Sequence, residues 1–393
     1  MSTASAPART PWLRAIALGV GLSLIVGGIL LAFAWPSLTA SAEDLPVGIV
    51  GPDASVAQVE EAVDEKADGA VELIRYDDRD AAVTAIEHRE AYGEIVLGDA
   101  PTDAPEVLKA TAASTQVAGV LDGLAAQLQK QIDAQIRIQV EQGVQQLQAT
   151  MGAALQAAMA GQRPQLPQTP ETFEIPTVTV VVTDLAPYSD ADPQGVGLTV
   201  SIFPLVIGGV LGGVLLSLTV TGVWRRLVGV LVYSASAGLV LTGILQTWVG
   251  ALQADFWADA AAIALTIAAI ASTVTALSGL FGRPGVAVGA VSMILFANPL
   301  SAANVPVEFL LEPWGTIGQW MPPGAGATLL RELSYFPDAD VSQQWLLLGG
   351  WALGGLVLTA LDPAGRRAAR TAAAAGPEPA SAPVAPPAVP ASV

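Results

Sequence analysis

The sequence predicts an α-helical membrane protein of about six transmembrane helices, with an α/β domain carrying a long helix inserted on the extracytoplasmic side. Three observations carry that prediction. Apolar residues make up 52% of the 393 positions and charged ones only 13%, at a mean hydropathy of +0.53, which is too apolar for a chain dissolved wholly in water. The apolar residues are segregated, in long stretches with almost no charge at 15–35 and throughout 196–361, with a polar block between them. Charge is segregated as well: residues 36–196 hold 26 Asp and Glu against 8 Lys and Arg, so the net charge of −18 belongs to that block.

An anionic domain of this kind disfavours nucleic acid and anionic headgroups as partners. With no cysteine in the chain, disulfides, thiolate metal sites and cysteine nucleophiles are excluded, and the domain must fold by packing alone. Lysine is confined to Lys66, Lys109 and Lys130 beside abundant Arg, Ala and Gly, a usage that points to a bacterial protein and hence to the cell membrane.

Residues 1–11 read as a cytoplasmic N-terminus and 12–35 as an anchor, whose apolar run is long enough to cross roughly 30 Å of hydrocarbon. A cleavable signal peptide competes, because Ala40-Ser41-Ala42 resembles a cleavage site, but the apolar core exceeds the usual ~7–15 residues and favours an uncleaved anchor. Within the block 196–362, further spans are expected at 197–223, 227–249, 260–281, 285–296 with its continuation, and 345–361. Placing Arg9 and Arg14 inside places Arg225, Arg226, Arg283, Arg366, Arg367 and Arg370 inside too. The opposite short loops then carry Asp255, Asp259, Glu308, Glu312, Asp338 and Asp340, and only Arg331 departs from the positive-inside pattern. Both termini are therefore expected in the cytoplasm, with 36–195 outside. Residues 363–393, mostly Ala and Pro after Arg370, cannot bury a core and are expected to form a disordered cytoplasmic tail.

Within the extracytoplasmic domain, 45–50 is a short apolar run stopped by Gly51-Pro52, the pattern of a buried strand and a turn. Val56, Val59 and Val63 at helical spacing predict a helix over 55–67 with Ser55 as its cap. Strands are then expected at 71–76 and 93–98, with a helix over 80–89 between them. This β-α-β-α-β order implies a small parallel sheet. Residues 107–111 can add a strand. From 114 to 160 an apolar stripe (Val120, Leu124, Leu128, Ile132, Ile136, Val140, Val144, Leu147, Met151) predicts one long helix, either a coiled-coil arm or a helix folded back on its own domain. A strand at 173–185 and an Asp/Pro-rich connector lead into the bundle.

Two glycine clusters stand out in the spans. Gly208, Gly209, Gly212 and Gly213 lie on one, and Gly349, Gly350, Gly354 and Gly355 on another; both sets place small residues one turn apart and let helix backbones approach. Packing inside one bundle is preferred over a dimer or gating seam. Between 298 and 336 the apolar run is broken by Pro299, Pro306, Pro313, Pro322 and Pro323 and cannot be one straight span. Short re-entrant helices near the outer interface are expected there, with Trp314 and Trp320 as interfacial anchors. The candidate gate comprises Asn298, Pro299, Pro322, Pro323, Gly324, Arg331 and Glu332, and the last two could bond to each other, cap a short helix or meet a substrate headgroup.

No catalytic set can be assembled, so no enzyme, cofactor or metal is expected. The single histidine, His88, lies among charged neighbours and reads as a surface residue, and no phosphate-binding GxxxxGK[ST] or calcium-loop spacing occurs. The span interiors hold no Asp, Glu, Lys or Arg away from their ends, which disfavours proton-coupled transport. Thr266, Ser272, Thr273, Thr275 and Ser278 are expected to bond their own helix backbone.

The layout, joined to Leu45-Pro46-Val47-Gly48-Ile49-Val50, Asp192-Pro193-Gln194-Gly195 and Met321-Pro322-Pro323-Gly324-Ala325-Gly326 through Phe336, resembles the phage-infection-protein (YhgE/Pip) group of the type-2 ABC permease superfamily over 12–362. The resemblance implies an export-type membrane subunit working in the bilayer as a homodimer of six-span halves with a separate ATPase. Two departures stand against ATPase coupling: the cytoplasmic connection at 223–226 is short for a docking helix, and the arm before Pro11 is short for an interface helix. A non-transporting envelope scaffold or receptor, acting through its ectodomain, is the alternative.

Overall fold

The computed structural model describes residues 44–67, 69–98, 103–160 and 178–361, with isolated positions at Val20, Gly27, Leu31 and Ala42. The rest of the expected anchor, residues 173–177 of the expected last strand and the tail at 363–393 lie outside the described residues. What is described is a mostly helical protein with a small α/β sheet at one end.

The sheet has five strands in the order β2-β1-β3-β4-β5. β1 (Leu45–Val50) pairs in parallel with β2 (Val71–Arg75) and β3 (Gly93–Val96), and α1 (Asp53–Ala67) and α2 (Arg79–Glu87) are the crossovers. The helix starts differ slightly from expectation. α1 begins at Asp53, directly behind Pro52, so Ser55 lies inside its first turn and is not its cap. α2 is capped by Asp78, whose carboxylate accepts from the Ala81 N–H at 2.8 Å.

The sheet is mixed and not wholly parallel. β4 (Glu106–Lys109) runs antiparallel to β3, and β5 (Val181–Asp184) runs parallel to β4. Connection length explains both. Residues 97–105 are too few for the crossover of a dozen or more that a parallel neighbour requires. β4 and β5 are joined through α3 (Thr115–Met159), which supplies far more chain than the crossover needs.

The hydroxyl of Ser114 caps α3. Val117, Ala118, Leu121 and Ala125 bury its first turns against the sheet, and Gln129 then brackets the incoming chain, donating to the Val178 carbonyl at 3.0 Å and accepting from the Val180 N–H at 2.7 Å. Beyond that point Val144, Leu147, Met151, Leu155 and Met159 are exposed. The start of the helix therefore folds back on its own domain, and about 30 residues beyond it run on for some 45 Å.

Three helices are long and apolar enough to cross a membrane: α4 (Val196–Thr219), α5 (Val223–Thr242) continued by a π turn at Gly243–Trp248, and α6 (Phe256–Phe281). α6 is the centre, packed by α4, α5, α7 (Arg283–Val291), α9 (Pro322–Tyr335) and α10 (Ser342–Ala360). The expected span at 285–296 is a shorter apolar helix, α7 followed by a π turn at Ser292–Ala297. The hydroxyls of Thr266, Ser272, Thr273 and Thr275 do donate to carbonyls of their own helix.

Asp259 is a correction. Expected in a short outer loop, it sits fully buried in the first turn of α6. Asp255 takes the cap position, accepting from Trp257 and Ala258, and this starts the helix four residues earlier than the apolar run suggests.

Candidate functional site: the junction of the α/β domain and the bundle

After the π turn that ends at Ala297, the proline-broken segment folds as short pieces. A 3-10 turn at Pro299–Ser301 is followed by one at Val307–Phe309, then by α8 (Trp314–Gln319) and α9. Pro322 and Pro323 open α9, where a missing N–H leaves no bond unmade. Glycines let the pieces stack at backbone distance: a Cβ on Gly315 would lie 2.7 Å from the Val307 carbonyl oxygen, and one on Gly318 or Gly324 would overlap the carbonyl of Leu300 or Gly318 respectively. Pro322, Pro323 and Gly324 are all buried. Asn298 and Pro299 instead line a cavity of about 170 Å³ with Thr199, Ile202 and Phe203 of α4.

Arg331 and Glu332, adjacent in sequence, reach different partners. The guanidinium of Arg331 donates to the Ala303 carbonyl at 2.7 Å, holding the proline-broken loop to α9. Glu332 accepts from Arg89 of the α/β domain at 3.3 Å, and both side chains are largely buried. Arg89 follows α2 in the left-handed region, φ +61°, a conformation that costs about 1–2 kcal/mol for a non-glycine residue. Its ion pair, and the packing of its guanidinium 5.4 Å above the centre of the Phe336 ring, offset that cost.

The contact continues on either side. Tyr92 donates from its hydroxyl to Glu308 at 2.7 Å, and burial, reinforced by that carboxylate, holds the phenol well above its usual pKa. Phe336 enters the hydrophobic core of the α/β domain beside Leu45, Val47, Ile86 and Tyr92. Tyr335 donates to the Ala251 carbonyl at 2.9 Å and meets Tyr188 edge-on. Asp192 of the Asp-Pro-Gln-Gly phrase accepts from the N–H groups of Val196 and Gly197 and so caps α4. The turn between α2 and β3, the connector into α4 and the loop between α5 and α6 all converge on the end of α9.

The α/β domain holds one unusual group of its own. Glu94 on β3 is fully buried with neither carboxylate oxygen partnered, and burial pushes its pKa up to about 8. Nearby, Arg79 grips Glu106 through two hydrogen bonds at 2.7 and 3.0 Å, and these hold the Glu106 carboxyl below its usual range. Among the described residues no group of three His, Cys, Asp or Glu is arranged to hold a metal, and His88 is exposed at the end of α2.

The two glycine clusters differ. Gly209 and Gly213 on α4 press on Ile270, Ala271 and Val274 of α6, while Gly208 and Gly212 face Tyr233 of α5, whose hydroxyl donates to the Gly208 carbonyl at 2.7 Å. On α10 only Gly355 packs inward, against Ser272. A Cβ on Gly349, Gly350 or Gly354 would meet no described atom within 4 Å. Gly350, Gly354 and Gly355 line an apolar groove of about 680 Å³ between α10, α6 and α7.

Arg331 and Glu332 were legible in the sequence as charges near a broken helix. Arg89, Tyr92, Glu308 and Phe336 were not, because each lies far along the chain from its partner. No protein-family model, curated protein or solved structure matches this chain.

Proposed function

We propose that the protein is the membrane-spanning, permease-like subunit of an export-type transporter for hydrophobic or envelope-associated substrates. It works as a homodimer with a separate ATPase in a bacterial cell membrane, termini inside and α/β domain outside. Beside the three long apolar helices α4, α5 and α6, reading the anchor, α7 with its π turn and α10 as further spans would give the six-span layout of the type-2 ABC permease group that the chain resembles. The carrying observation is the proline-broken segment at 298–336, seated in the outer end of an apolar bundle and clamped there by Arg89 and Tyr92. Irregular backbone at membrane depth is tolerated only where it is buried in protein or borders a water-filled cavity, which makes this segment the best candidate for an outer gate and the α/β domain its clamp. The ATPase contact would fall on the turns bearing Arg225, Arg226 and Arg283.

A second reading, an envelope scaffold, is favoured by one observation: the apolar stripe of α3 past Gln129 is exposed over several turns. The two are separated by deleting the protein and following efflux of a fluorescent amphiphile. Export predicts a defect restored by the wild type but not by a stably expressed Arg89→Ala variant, and an ATPase that copurifies with the full chain. No efflux defect, no ATPase and capture of a soluble envelope protein through α3 would overturn export in favour of the scaffold.

A further inference from the structure

Asp259 lies in the first turn of α6 with no exposed surface, and neither carboxylate oxygen has a hydrogen-bond partner. The nearest helix amides are already taken by Asp255. Across the contact, α5 brings Ser234 and Thr242, both buried and both with unpartnered hydroxyls. The register comes from Gly238, where a Cβ would lie 2.7 Å from the Cβ of Ala264. α5 and α6 are consecutive and joined by a short loop, so they run antiparallel, and Thr242, one turn past Gly238, falls in the layer of Asp259. Thr242 is also the point at which α5 passes into its π turn, a distortion that recurs at functional sites.

Among the described residues no cation reaches this layer. Of the elements packed on α6, α4 and α10 carry no charged residue. The charges of α5 and α7, Arg225, Arg226 and Arg283, sit at the opposite end of the bundle, and Arg331 and Glu332 of α9 are engaged with Ala303 and Arg89. The acidic neighbour Asp255 can only oppose ionisation. A desolvated carboxylate without a donor costs more than the partial charge of a helix N-terminus returns. The neutral acid avoids that cost and gains an O–H donor within its own layer.

We propose that Asp259 is a proton-binding site of the bundle, neutral while α5 and α6 are closed on each other and able to release its proton only when water reaches that layer. This goes beyond the transporter reading, because it holds whether or not the chain exports anything. The test is infrared difference spectroscopy of the full chain in lipid nanodiscs at pH 7, wild type against Asp259→Asn. Loss of a protonated-carboxyl C=O band in the variant is expected, and loss of a carboxylate band instead, or no carboxyl difference, overturns the proposal. Should the variant not fold, a hydrophobic carbodiimide, which adds to buried protonated carboxyls, decides it on the wild type. Modification of Asp259 found by peptide mapping supports the site, and an unmodified Asp259 under conditions that modify other buried acids overturns it.

Discussion

The end of the bundle that meets the α/β domain and the α7/α10 flank are both rich in glycine, yet they use it oppositely. At the junction end Gly315, Gly318 and Gly324 sit where a single added methyl would meet a carbonyl oxygen, and the same crowding holds for Gly213 of α4, whose Cβ would lie 2.9 Å from the Ala271 carbonyl oxygen. On the flank, Gly349, Gly350 and Gly354 face space open among the described residues. Glycine spacing therefore marks where backbones can approach, and only the three-dimensional partner tells whether they do. The closed end is also where charge crosses between the two parts of the molecule, whereas the groove on the open flank is lined mainly by apolar residues, with Thr273 and Ser292 among them.

Substitutions at the two places test that contrast. The largest effect is expected from Gly318→Ala, whose methyl must displace the Leu300 backbone and not merely a side chain. The destabilisation should reach or exceed the roughly 3 kcal/mol upper end of overpacking costs, read as a lower thermal midpoint in detergent. Arg89→Ala should follow at about 3 kcal/mol, because Glu332 is left buried without its cation, and Arg89→Ala with Glu332→Gln should recover part of the loss. An unchanged midpoint for Arg89→Ala would mean that the closed end is held by packing alone.

The third prediction concerns pH. Glu94 has a folded-state pKa of about 8 against an ordinary value of 4.5, so between those values the folded protein keeps a proton that the unfolded chain releases. The sign follows: stability conferred by the neutral acid is fully present below pH 4.5 and falls as pH rises towards 8, with a slope of at most about 1.4 kcal/mol per pH unit. Glu94→Gln should flatten the fall in thermal midpoint across that window, and an equally steep profile in the variant would assign the titration to another group. The smallest effect is expected on the open flank. Gly350→Leu and Gly354→Leu should change the stability of a single chain by less than about 0.5 kcal/mol. If chains pair through this groove, the same variants lower the dimer fraction in crosslinking without moving the midpoint. A large drop in midpoint would show the groove to be closed.

Local patterns were legible wherever a residue's role depends on neighbours a few positions away. The strand at 45–50, the long helix behind Ser114 and the backbone-bonded Thr266 and Thr273 answer to short-range periodicity and capping. The mixed sheet was less legible, since pairing direction depends on how the connections close. The start of α6 was misplaced because hydropathy sees Ala260 as the edge of the apolar run while Asp255 supplies the cap, and that shift of one turn carried Asp259 from an expected loop into the bundle.

The segregation of the chain into an acidic α/β block and an apolar helical block is written in the order of its residues, because charge and hydropathy act through solvent and need no partner. That order also shows that the stretch between 298 and 336 could not be a straight helix, because proline removes the donor wherever it falls. Contacts between distant segments alone put Phe336 into the core of the α/β domain beside Leu45 and Val47, pair Arg89 and not Arg331 with Glu332, and leave one glycine face filled and the other open. Those are outcomes of burial between distant segments, where the energy belongs to the contact and leaves no periodic trace in either segment alone.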